Sequence, residues 1–199
     1  MSKKIKPELW IYYSWTYDQS IHTWQGKKWK KEYEKAGRAY REELSNAFVK
    51  VAGKTFDLIA KHSTFSWKKP CYEAFVVREC MPFNHPLTIS RCWVGSSKKF
   101  PISEGVETII HELIHIIEQE NDEKIRWNKT KIIGKRLPEI ARYHLLTFAI
   151  EWLVLVDIFG EKVARQYMHS YSHMKDYRQA IKLVQKYGAK NIIKDLVKK

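Results

Sequence analysis

From residue 29 to about residue 61, apolar side chains recur every three or four positions. Tyr33, Tyr40, Leu44, Phe48, Val51 and Leu58 fall on one side of such a winding, which predicts helix with these residues facing inward. The rhythm then changes. YEAFVVREC (72–80) and PLTISRCW (86–93) are rich in β-branched and aromatic residues, and the MPFNH between them supplies turn chemistry, so two neighbouring strands are expected. FPISEG ends that region. Ser103 is placed to cap a helix, with Glu104 in its first turn where a negative charge suits the helix dipole. This helix should run to about Glu120 and stop near Asn121.

A polar, basic loop, NDEKIRWNKTKIIGKR, follows. Pro138 then opens a second long helix that reaches Gly160, and two or three further helices fill the remainder from Glu161. Strands first and helices afterwards point to an α+β fold with a small, mainly antiparallel sheet and a helical C-terminal half. The chain has 199 residues and shows no repeat or low-complexity linker. A single domain spanning 1–199 is therefore expected, with residues 1–120 carrying the first helix, the strands and the motif helix, and 121–199 forming a helical subdomain.

Composition changes this picture little, and charge changes it more. The formal net charge is +14, which suits acidic company such as nucleic acid. The lysines are nevertheless spread along the chain, with clusters at Lys27, Lys28, Lys30 and Lys31, over 126–136 and at the carboxyl end. Such scatter also fits a protein built for heat, in which surface ion pairs gain value. Cys71, Cys80 and Cys92 lack paired metal-ligand spacing and read as reduced thiols of a cytoplasmic protein, with a Cys80–Cys92 bridge as the alternative. MSKKIKPELW has no apolar run behind it and does not read as a signal peptide. The longest apolar stretch, LLTFAIEWLVLVDIF (145–159), is broken by Glu151 and Asp157 and falls short of the roughly 20 residues of a membrane span, so no membrane span is expected.

The chemistry concentrates in TIIHELIHIIE (108–118). On a helix, residues four apart point within about 40° of each other and lie about 6 Å apart along the axis. His111 and His115 can therefore send both rings to one ion, the arrangement behind the H-E-x-x-H zinc signature. Glu112 is turned about 100° away, where it can take a proton from a metal-bound water whose pKa zinc lowers towards about 7. Thr108, Ile109, Ile110, Leu113, Ile114, Ile116 and Ile117 are all uncharged, so the helix should be buried around its histidines. Unpaired imidazoles in that setting would be poorly satisfied, and a metal resolves this.

Catalytic zinc usually takes three protein ligands and a water. In PEIARYHLLTFAIEWLVLVDIFG, the polar residues His144, Thr147 and Glu151 share one stripe of an otherwise apolar helix. His144 and Glu151 lie about 10 Å apart along the axis and cannot easily serve one ion together. His144, close to the preceding loop, is the first choice for third ligand and Glu151 the alternative, with Glu139 behind them. Arg142, Tyr143, His169, Tyr171 and His173 are available to steady a developing oxyanion.

TIIHELIHII resembles the zincin metallopeptidases, including their Val or Thr three positions before the first histidine. The resemblance implies His111 and His115 as Zn2+ ligands, Glu112 as general base, and peptide or protein as substrate. It also implies a sheet-edge strand above the metal to hold the substrate backbone, here PLTISRCW. The gluzincin N-E-x-x-x-D pattern and the metzincin extension are both missing. SprT-like proteases use a third histidine in a following segment, which His144 would echo, and act on protein bound to DNA, which the basic charge would suit. The expectation is thus a zinc-dependent metallopeptidase. The alternative is a non-peptidase zinc-binding protein of zincin fold, associated with nucleic acid.

Overall fold

The computed structural model describes residues 5–127 and 137–198. The elements run β1 (Glu8–Tyr13), α1 (Trp15–Trp24), α2 (Glu32–Phe48), α3 (Ala52–Ser63), β2 (Cys71–Val77), β3 (Phe83–Asn84), β4 (Leu87–Ser90), α4 (Ile102–Glu120), α5 (Glu139–Phe159), α6 (Glu161–Ser170), α7 (Lys175–Tyr187) and α8 (Ala189–Leu196). This is the expected α+β class with a helical C-terminal half. The chain divides into two compact units, Met1–Gly53 with Lys69–Leu113 and Lys54–Lys68 with Ile114–Lys199. The division falls inside α4, a single helix with its two histidines on either side of it. Most of the basic loop after α4, from Asn128 to Arg136, lies outside the described residues.

The first unit holds a mixed sheet of order β1-β2-β4-β3. Strands β1 and β2 pair in parallel, as do β2 and β4, and only β3 with β4 is antiparallel. The expectation of a mainly antiparallel sheet is corrected here. Helices carry the chain from the end of β1 back to the start of β2, a return that makes two strands parallel. After β2 the chain descends as β3 and turns back into β4, which slots in beside β2. The expected turn segment therefore contains a strand of its own. The substrate-strand expectation for PLTISRCW is also corrected: β4 is an interior strand, its four residues all buried. Over Leu87 and Thr88 it is paired on both sides.

Strand β1 has no counterpart in the sequence reading. The helical stretch expected over 29–61 is two helices, broken by a turn between Phe48 and Ala52. Tyr40, Leu44 and Phe48 are buried as expected, while Tyr33, Val51 and Leu58 are half-buried. Gly37 lets α2 lie close on the sheet: a Cβ there would come within 2.2 Å of the Tyr13 ring. At Gly105 a Cβ would stand 2.8 Å from the Tyr40 hydroxyl and 3.0 Å from Leu44 Cδ1, so α4 begins hard against α2. Helix α4 starts at Ile102, which puts Ser103 inside the first turn rather than at the cap.

Asp18, fully buried, gathers three donors in this unit. Its carboxylate accepts from the Tyr13 hydroxyl at 3.0 Å, the Trp29 indole N–H at 3.2 Å and the Arg78 amide at 2.7 Å. A buried carboxylate satisfied this way costs far less than an isolated one.

Glu79 does similar work beside it, accepting from the Lys27 ammonium and the Gly95 amide, each at 2.5 Å. Burial alone would raise its pKa. The Lys27 contacts, the Gly95 amide and the Arg78 charge outweigh burial and hold it below the ordinary value of 4.5. Its stabilising contribution is thus full above that value and is lost as pH falls through the lower, folded-state pKa. Glu79→Gln is expected to cost about 1–2 kcal/mol at neutral pH. In urea denaturation, the gap between the two proteins should close as the buffer is taken from about pH 6 towards about pH 3. A gap constant over that range would show that the carboxylate's charge contributes nothing.

In the second unit α5 is the central element. Leu145, Leu146, Phe148, Ala149, Ile150, Val154 and Leu155 are all fully buried, and α6, α7 and α8 pack against the helix. Gly160, at φ +86, ends α5 as expected. Asn121 stops α4: its side-chain amide donates to Ile117 O at 2.8 Å and to Ser66 O at 3.0 Å, and its Oδ1 accepts from Lys124 Nζ. Cys71, Cys80 and Cys92 are free thiols, so the bridge alternative falls away. Among the described residues no helix is long and apolar enough to cross a membrane.

Candidate metal centre

Helix α4 presents its histidines from a dry setting. Ile109, Ile110, Leu113, Ile114 and Ile117 are fully buried, and His111 and Glu112 are 4% and 6% exposed. One turn further on, His115 is half-buried. The His144 ring meets it from α5 with centroids 4.9 Å apart and planes at 83°. His111, His115 and His144 each offer a ring nitrogen, and these atoms all lie within 4.8 Å of one another. Among the described residues this is the group able to hold a metal ion. Glu151 and Glu139 do not belong to it. Glu151 is fully buried, and Glu139 is exposed at the start of α5.

The donor set suits a borderline metal such as zinc, which favours imidazole nitrogen and tetrahedral coordination. The surroundings of the rings suit it too. His144 Nδ1 lies 2.9 Å from the carbonyl oxygen of Ile140. A carbonyl can only accept, so Nδ1 carries the proton and Nε2 keeps its lone pair for a ligand. His115 Nδ1 lies 3.5 Å from Glu118 Oε2 and 3.4 Å from the Thr147 hydroxyl. That hydroxyl donates to Glu118 Oε2 at 2.9 Å. A carboxylate behind a ligand imidazole fixes its tautomer and raises its basicity.

Two buried carboxylic groups lie on this side of the rings. Burial pushes the Glu118 pKa up, while His115 and the Thr147 hydroxyl pull it back in part. Burial raises the Glu151 pKa much further, His115 opposes the rise and the neighbouring Glu118 charge adds to it.

Aromatic rings enclose His144. Tyr177 of α7 stacks on it at 4.3 Å and 34°, with Phe148 at 5.8 Å. Tyr171 packs on both Phe148 and Tyr177. Of the five oxyanion candidates, Tyr171 alone joins this ring cluster, and its hydroxyl meets that of Tyr167 at 2.5 Å. Tyr143 is exposed and lies on Trp127, with the Arg142 guanidinium over its ring. His169 and His173 are exposed.

Glu118 and Tyr177 escape the sequence reading. Glu118 carried a usable signal: an acidic residue three positions after His115, in the middle of the apolar run. Tyr177 carried none, because its neighbour is set by how α7 folds back onto α5. A scan against protein-family models and searches of curated proteins and solved structures find no match to this chain.

Proposed function

We propose that this protein is a zinc-dependent metallopeptidase in which His111, His115 and His144 hold the metal and Glu112 is the general base. The observation that carries this reading is the convergence of three imidazole nitrogens within 4.8 Å, one of them next to a buried glutamate on the same helix. Zinc bound there would supply Lewis acidity for the scissile carbonyl and for water. Glu112 accepts a proton from the attacking water and delivers it to the departing amine, so one water is consumed as the C–N bond breaks. Glu118 and Thr147 hold the His115 ring, and Ile140 O holds that of His144, so the ligand geometry is set before metal or substrate arrives.

The test is metal analysis of the purified protein together with digestion of an unfolded protein. Stoichiometric zinc is expected, with cleavage that stops on chelation and returns when zinc is restored. Zinc-loaded protein that cleaves nothing would overturn the peptidase reading and leave a zinc-binding protein without that activity. The burial of β4 favours this second reading, since Leu87 and Thr88 offer an extended peptide no free edge. The net charge of +14 would suit a nucleic-acid partner under that reading.

A further inference from the structure

The second unit contains a cavity of about 950 Å³ that plays no part in the metal centre. Its floor is apolar: Ile193 and Val197 of the α8 segment are buried, and Leu153 and Val156 of α5 are half-buried. Its rim is cationic, with five lysines and a single aspartate among the lining residues. Asp157 is already engaged by the His62 ring at 2.9 Å.

Two of the lysines are fixed in place. The segment after α4 and the tail of α8 clip together antiparallel at Ile125 and Val197, with Lys198 N donating to Lys124 O at 2.8 Å. Lys124 Nζ donates to Asn121 Oδ1, and Lys198 Nζ to the carbonyl oxygen of Glu123. Lys61, Lys190 and Lys194 project into solvent at the mouth and form no ion pair among the described residues. Like charges gathered around a concave, low-dielectric surface repel one another and raise the local potential for an anion.

We propose that this cavity binds an amphiphilic anion, a small molecule with a hydrocarbon body and a carboxylate or phosphate head. The body lies on Leu153, Val156, Ile193 and Val197, and the head sits among Lys61, Lys190 and Lys194. The volume lies within the range of small-molecule sites. The lining carries no Phe, Tyr or Trp, so a nucleobase would find no aromatic platform to stack on. This inference is independent of the metal centre.

The experiment is calorimetric titration of the full-length protein with dodecanoate and with dodecyl phosphate. Each is expected to bind at one site. Acetate, which has the head alone, and dodecyltrimethylammonium, which has the tail with the opposite charge, should each bind at least about tenfold more weakly. Lys190→Glu combined with Lys194→Glu should weaken dodecanoate by at least about tenfold, while Lys28→Glu with Lys31→Glu leaves it unchanged. Val156→Trp, which fills the floor, should also lose dodecanoate binding while its thermal melt stays cooperative. Equal affinity for the cationic and anionic detergents would overturn the proposal, as would undiminished binding in the Lys190/Lys194 variant. Displacement of dodecanoate by a short oligothymidylate, with the steep salt dependence of a polyanion, would overturn it in favour of a nucleic-acid groove.

Discussion

Glu112→Gln is expected to reduce peptide hydrolysis by about 10²–10⁴-fold while zinc stays stoichiometric. The amide keeps the size and polarity of the carboxylate, so a helix whose flanks are buried at Ile109, Ile110 and Leu113 should fold as before. It has no basic oxygen, so the proton of the attacking water has nowhere to go. The three imidazoles are untouched by this change, and metal content reports on them separately from rate. Wild-type turnover in this variant would remove Glu112 from the chemistry. Lost zinc would mean instead that the glutamate supports the ligand set.

The second large effect concerns the third ligand. His144→Ala should lower zinc affinity by at least about 100-fold, since removal of an outer-shell partner alone typically costs 10–100-fold. Glu151→Gln should retain zinc. Glu151 lies outside the imidazole group, so its amide replacement leaves the three donors in place. Competition titration with a chromogenic chelator measures both variants. Zinc kept by the His144 variant and lost by the Glu151 variant would reverse the assignment.

Much of the helical architecture was legible because its signals are local. The limits of α4 and α5 follow from apolar periodicity, Asn121 and the Pro138–Gly160 pair, and each falls within a residue or two of expectation. The two histidines on α4 are equally local, being four residues apart on one helix. The third lies on the polar stripe of α5, where His144 and Glu151 face the same way, so the stripe alone does not choose between them. Strand β1 was not legible: ELWIYY is six residues long, only alternately half-buried, and pairs with a partner distant in sequence. Sheet order has the same origin, since nothing in PLTISRCW indicates that β3 will cover one of its edges. The pairing of His115 with Glu118 is local to α4, but the Thr147 hydroxyl that binds the same carboxylate comes from another helix and emerges only from the fold.

One carboxylate in the first unit has a mechanical consequence. Parallel strands cannot be stitched by a tight hairpin, so β1 and β2 depend on other ties to stay in register. Asp18 provides one by grasping Tyr13 at the end of β1, Arg78 just past β2, and Trp29 ahead of α2. Unfastening that knot would free three distant stretches of chain at once, so this half of the molecule should come apart as a whole rather than fray from a margin.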